Sequence, residues 1–239
     1  LYDCHKAFYT PANMCLVAVG DLDPASVFSL AEEVLPKESG PAIPRDYGRE
    51  TDLAPLEAEV SCKMEVSMPT FLLGFKCPPM SGGQEQMRRT LIGELACDVL
   101  LGDSSPLYAR LYSQGLINGT FGYSFDTLPG VAYAYIGGDS KDPHAVAEEV
   151  LREARRLVKD GIDPDYYARI VRANYGSTLK SLNSFESVAI SMAEGCFDGY
   201  DPLLFPEMFD SITREDLTDF IRRNLIREHM ALSVVYPKE

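Results

Sequence analysis

The sequence predicts an α+β fold, a mostly antiparallel sheet with helices packed on one face. Three observations carry that prediction. Segments with the two-residue period of strands come in pairs and alternate with pairs of segments at helical spacing. Turn signals of hairpin length join strands. Finally, the two ends of the chain echo one another: at an offset of 216 residues Leu1 falls on Leu217, Asp3 on Asp219, Met14 on Met230, Leu16 on Leu232 and Val19 on Val235. Each copy reads as a helix, a short polar break and a strand. A supersecondary ending used twice implies the tail of one domain over residues 1–36, a linker over 37–57 and one whole sister domain over 58–239.

Taken in order, Leu1 to Tyr9 is a helix ended by Pro11, and Met14 to Gly20 is a strand rich in Val, Leu and Ala. Asp23 caps a second helix with Pro24 at its first position, where a missing N–H costs nothing, and this helix runs to about Leu35. From Pro36 to Pro55 no apolar period survives, and Pro41, Pro44 and Gly48 mark the linker. Val60, Cys62, Met64 and Val66 then alternate with polar residues as in a half-buried strand, and Thr70 to Lys76 supplies a second strand. Gln84 to Leu101 covers the pair as a helix with Met87, Leu91 and Leu95 on one face, stopped by Gly102. Ser105 to Tyr112 is a short helix. Asn118 to Asp126 and Gly130 to Gly138 flank Thr127-Leu128-Pro129 as an antiparallel hairpin. Asp142-Pro143 and Asp163-Pro164 each open a helix, the first stopped by Gly161 and the second by about Leu182. Ser184 to Gly195 forms another helix, and Thr213 opens a capping box for a helix to Leu225. The final strand is Met230 to Tyr236.

With 239 residues and 46% apolar content, the chain can bury roughly 70–75% of its unfolded surface. Lys+Arg 22 against Asp+Glu 36 leaves a net charge of −14, and no basic run exceeds two residues. A phosphate-binding stripe therefore lacks material, and nucleic acid is excluded as a partner. The longest apolar stretches, Met14 to Val19 and Phe71 to Phe75, fall far short of the roughly 20 residues of a membrane helix, so no membrane is expected as a partner. Cys4, Cys15, Cys62, Cys77, Cys97 and Cys196 sit singly in apolar patterns and read as buried free thiols, favouring a reducing, cytoplasmic setting. The opening at Leu1-Tyr2-Asp3 falls mid-pattern and reads as a piece of a longer chain.

His5, His144 and His229 are far apart, and none has a second His four residues away as a helical zinc pair requires. No metal site, no cofactor and no catalytic residue is expected in this chain. His144 with Glu148 reads as a solvated pair. Gly82-Gly83 and Gly137-Gly138 lack the spacing of phosphate loops and read as turns, and Ser104-Ser105 has no His base at readable spacing. Tyr133 and Tyr135 read as sheet-face packing, with a peptide-facing aromatic wall as the alternative.

The chain resembles the C-terminal half of an M16-family (pitrilysin/insulinase/processing-peptidase) zinc peptidase. The carrying segments are Tyr9-x-Pro11-x-Asn13-Met14 through Gly20-Asp21-x-Asp23, Ser104-Ser105-Pro106-Leu107-Tyr108-x-x-Leu111 with Gly115-Leu116, Gly130 in the hairpin, and the ending from Thr213 to Val235. Its texture, as in Ser181-Leu182-Asn183-Ser184, is most similar to the bacterial YmfH-like branch. The resemblance implies a LuxS-like metallohydrolase-type fold. It also implies that zinc, held by His-x-x-Glu-His and a distant Glu, lies in an N-terminal domain outside this chain, while the C-terminal domain is a metal-free copy that encloses the peptide. In such enzymes a Leu-Arg-x-x-x-Gly-Leu-x-Tyr segment lends an Arg and a Tyr that hold the peptide and its developing oxyanion. Such a donor is worth about 3–4 kcal/mol of barrier. Here the register Leu111 to Asn118 puts Tyr112 in the Arg slot and Asn118 in the Tyr slot, with Arg110 and Tyr123 as shifted candidates. These four are the expected substrate-binding residues.

Two functions follow as expectations. The first is the non-zinc half of an M16 peptidase, inactive alone, whose partners are the N-terminal M16 domain of the same parent chain, a peptide, and in a homodimer or heterodimer a related M16 subunit. The second is part of a non-catalytic processing-peptidase-like scaffold subunit that binds another protein or peptide. The absence of the Arg/Tyr pair from its slots and the charge of −14, which attracts basic peptides, motivate the second.

Overall fold

The computed structural model describes residues 1–36, 45–48, 52–80 and 82–238. Among these, the helices are α1 (Tyr2–Phe8), α2 (Pro24–Val34), α3 (Gly83–Leu101), α4 (Pro106–Ser113), α5 (Pro143–Asp160), α6 (Pro164–Ser181), α7 (Phe185–Asp198), α8 (Phe205–Ser211) and α9 (Arg214–Asn224). The strands are β1 (Glu59–Met64), β2 (Thr70–Cys77), β3 (Gly122–Leu128), β4 (Val131–Asp139) and β5 (Met230–Pro237). They form one sheet in the order β1-β5-β2-β4-β3, parallel only at β1/β5. The fold is therefore α+β with a mostly antiparallel sheet, as the sequence predicts.

The helices start where the sequence supplies caps. Asp142, Asp163 and Ser184 accept hydrogen bonds from backbone N–H groups in the first turns of α5, α6 and α7, and Thr213 with Asp216 closes a capping box on α9. Helices cover one sheet face. Phe71, Leu73 and Phe75 of β2, Ala132, Ala134 and Ile136 of β4, and Leu232 and Val234 of β5 are buried there with residues of α3, α5 and α9. Ladder partners share a face. Cys62 pairs with Val235 and Val60 with Ser233, so Val60, Cys62 and Met64 lie on the opposite face with Leu72. Among the described residues no helix covers that face, and Leu72 is 50% and Met64 54% exposed. This corrects the expectation that β1 is half-buried.

Other differences are local. The segment Met14–Val19 joins no ladder, because none of the described strands lies beside it. The cysteines do not form a uniformly buried set: only Cys77 and Cys97 are buried, and burial pushes Cys77 up to about 12. Gly137 and Gly138 lie within β4 rather than in a turn, and a Cβ on Gly138 would stand 2.9 Å from Phe121 Cα. Helix α8, unread in the sequence, forms because Phe205 and Phe209, four residues apart, both pack on Tyr175 with centroids at 5.4 Å. Of the linker residues, Pro41 and Pro44 lie outside the described residues.

The echo between the ends extends to detail. A single 3-10 turn, Pro11–Asn13, follows α1, and another, Arg227–His229, follows α9 at the same 216-residue offset. The closing copy runs on into β5. The opening copy runs on into an unpaired ribbon.

Candidate functional site: an acidic groove beside the edge strand

Strand β3 ends the sheet, and among the described residues no strand neighbours its outer backbone edge. Such an edge can accept an extended peptide as a further strand. Beside it lies an open groove of about 610 Å3 whose walls come from α3, the β3–β4 hairpin and α7. Four carboxylates line it: Glu94 on α3, Asp126 on β3, and Glu194 and Asp198 on α7. Phe125, Tyr133, Tyr200 and Phe205 give it an aromatic component.

Local sequence positions these groups. Gly93 lets α3 approach the sheet so closely that a Cβ there would meet the Phe125 ring at 2.3 Å, and the next residue, Glu94, turns toward the groove. Gln86 braces one side, donating to Asp198 at 3.1 Å and accepting from the Gly82 N–H at 2.9 Å. Ser124 donates to Asp126 at 2.7 Å. Loss of solvation against the packed groove wall, and then the charges of Asp98 and Asp126, push Glu94 up to about 7. Burial and the charges of Glu194, Asp198 and Glu94 push the Tyr200 phenol up as well. A cation entering the groove would relieve both, so the arrangement favours a basic side chain flanked by apolar ones.

The sequence-predicted residues stand elsewhere, and none of the four lines this groove. The Arg110 guanidinium is held by Glu149 at 3.1 Å and by Glu153 at 3.2 Å. Tyr123 donates to Asp98 at 2.8 Å and lines a smaller cavity of about 210 Å3 that Glu94 also borders. Asn118 accepts from the Thr120 N–H at 2.8 Å and hydroxyl at 2.6 Å, fixing the turn before β3. Tyr112 is 56% exposed and stacks on Tyr108 with centroids at 5.9 Å. The groove carboxylates match no motif. One signal was present: Glu94/Asp98 and Glu194/Asp198 are like-charge pairs four residues apart on helices, an arrangement that costs stability without a compensating use.

Among the described residues no three His, Cys, Asp or Glu side chains converge as a metal ligand set, so the donors present do not fit zinc. His144 faces Glu59 at 3.5 Å and the Tyr236 hydroxyl at 3.4 Å, while Glu148 pairs with Arg227. His5 stacks on Tyr9. Among the same residues no helix is long and apolar enough to cross a membrane.

An α+β layer whose sheet ends in an open edge strand defines the class of fold. The model of the Peptidase M16 inactive domain matches residues 1–174, and the chain belongs to that family. It is 32% identical over 248 residues to the uncharacterized zinc protease YmfH of Bacillus subtilis (strain 168), covering 100% of this chain and 56% of that one. Among solved structures, an M16-like peptidase of Alicyclobacillus acidocaldarius superposes with a TM-score of 0.90 at 23% identity, over 99% of this chain and 57% of that one. The inactive peptidase domain of a zinc protease from Bordetella parapertussis superposes with a TM-score of 0.61 at 15% identity, over 74% of this chain and 95% of that one. The chain thus spans little more than half the length of the YmfH and Alicyclobacillus relatives, and it is the inactive C-terminal half of an M16-family protein.

Proposed function

We propose that this chain is the non-zinc wall of an M16 peptidase: it encloses peptide substrate and supports hydrolysis by a zinc-bearing N-terminal lobe of the same parent, and it cleaves nothing alone. The observation that carries the reading is the repeated ending. Helix, 3-10 turn and following segment occur at both ends, but among the described residues only the closing copy joins a sheet. The opening copy leaves Met14 59% and Leu16 68% exposed, as expected of the last strand of a missing sister lobe. Residues 1–36 then belong to that lobe and 58–239 to this one, with 37–57 between them.

The enclosed substrate is a peptide with basic residues, docked beside β3 with a cation among Glu94, Asp126, Glu194 and Asp198. Arg110, Asn118 and Tyr123 already have partners within the chain, which leaves Tyr112 as the predicted substrate residue free to meet the peptide. Six free cysteines suit a cytoplasmic setting. The test is to assay this chain alone, and then with a His-x-x-Glu-His-bearing N-terminal half supplied in trans, for zinc stoichiometry and cleavage of an arginine-containing peptide. The chain alone is expected to show neither, and the mixture both. Stoichiometric zinc with turnover by this chain alone would end the reading.

The second reading, a scaffold subunit that binds a peptide or another protein, is favoured by one observation. The Arg/Tyr pair lent to catalysis in relatives has no free counterpart, since Arg110 is engaged by two carboxylates. A parent chain whose zinc motif is eroded would decide for it.

A further inference from the structure

On the other side of α3, a separate pocket of about 500 Å3 opens between α3 and α9 at the end of β2. Its apolar wall includes Met80, Ile92 and Phe220. Its charged residues are unequal. The Asp216 carboxylate accepts from Arg88 at 3.0 Å and from the Thr213 N–H at 2.9 Å. Asp219 is held by Arg222 and lies 3.8 Å from Arg223. Arg89 makes no hydrogen bond or ion pair with any described residue. The two acids are therefore neutralised within the fold, and the uncompensated charge of the pocket is a guanidinium.

A second, independent imbalance sits in the same pocket. Asn224 is only 7% exposed, its Nδ2 donates to Phe220 O at 2.9 Å, and its Oδ1, shielded from water, has no partner. Buried acceptors are rarely left unpaired, and one that lines a cavity marks a place where a ligand's donor completes the network. A cation lacking an anion, an acceptor lacking a donor and an apolar wall describe one chemical group: a carboxylate next to an N–H on a carbon bearing an apolar side chain.

We propose that this pocket binds the C-terminal residue of a peptide, its carboxylate on Arg89, its side chain against Met80, Ile92 and Phe220, and its amide N–H on Asn224 Oδ1 once the side-chain amide turns that oxygen from its closed-off position into the cavity. The guanidinium fork suits a carboxylate's two oxygens, and the volume suits one or two residues. The site lies apart from the acidic groove and does not depend on the zinc-lobe reading. It gives this half a means of holding chain ends, whether of short peptides or of cleavage products.

Calorimetric titration of this chain with N-acetyl-leucine, N-acetyl-leucinamide and N-acetyl-N-methyl-leucine tests the proposal. The acid is expected to bind, with the amide and the N-methyl compound each at least about tenfold weaker. Arg89→Gln should lose about tenfold for the acid and nothing for the amide. Asn224→Leu should abolish discrimination against the N-methyl compound while the melting midpoint stays level or rises, because leucine leaves no unpaired oxygen. Equal affinity for acid and amide, an undiminished affinity in Arg89→Gln, or binding by the acid weaker than about 10 mM would each overturn it. A fall in the Asn224→Leu midpoint would assign Asn224 to structure alone and remove the N–H contact from the proposal.

Discussion

Glu94 shows how one side chain ties the groove to pH. Its folded value is raised to about 7, so between its ordinary value of 4.5 and 7 the native state holds a proton that the unfolded chain has released. Stability at this site is therefore intact in acid and declines as pH climbs toward 7. Glu94→Gln is expected to raise the melting midpoint at pH 8 and leave it nearly unchanged at pH 4, as differential scanning calorimetry would show. Gly93, its neighbour, makes the opposite case. Gly93→Ala would push a methyl into Phe125, which cannot swing away because Phe220 packs edge-on against it at 5.2 Å. A loss of about 1–3 kcal/mol in urea titration is expected, outweighing the gain in helix propensity. Neither residue stood out in the sequence. The helical period of α3 shows which side faces the core, but a close approach of backbone to ring, or a carboxylate crowded by two others, exists only once strands distant in sequence are in place.

At the scale of elements, α4 and α5 are joined through charge. Glu153 is 3% exposed, and burial pushes its carboxyl up, but hydrogen bonds from Arg156 and Arg110 outweigh this and hold it below the usual range. That contribution is present above the ordinary carboxylate value and is lost as pH falls through the depressed one. Arg110→Met should cost roughly 1–3 kcal/mol at pH 7, less at pH 3, and leave peptide affinity unchanged. A loss of peptide affinity without loss of stability would return Arg110 to the role its neighbourhood in sequence suggested. The helices with Asp-Pro or Ser/Thr starts were legible because a cap is a local signal, and α5, α6, α7 and α9 begin at the residues the sequence marks. Helix α8 was not, since its seven residues carry no side-chain cap and form against Tyr175, thirty residues upstream of Phe205. β1 misled for a related reason: alternation reports that one face is apolar, not which body covers it.

At the scale of the molecule, the echo between the ends was the most informative sequence feature, because a 3-10 turn recurs at the offset that aligns the residues. The segment Met14–Val19 should exchange its amide hydrogens at nearly the rate of an unstructured peptide in this chain alone. Protection should appear when the N-terminal half is added. Light scattering should show the chain self-associating at high concentration through the same ribbon, and a strict monomer with Met14–Val19 protected would contradict the assignment.

That ribbon also separates two kinds of boundary. If it completes the other lobe, that folding unit stops only after Val19, and a division of the parent ahead of α1 would part it from its last strand. Two products made apart would then overlap in structure without overlapping in sequence, each holding what the other needs in order to be recognised.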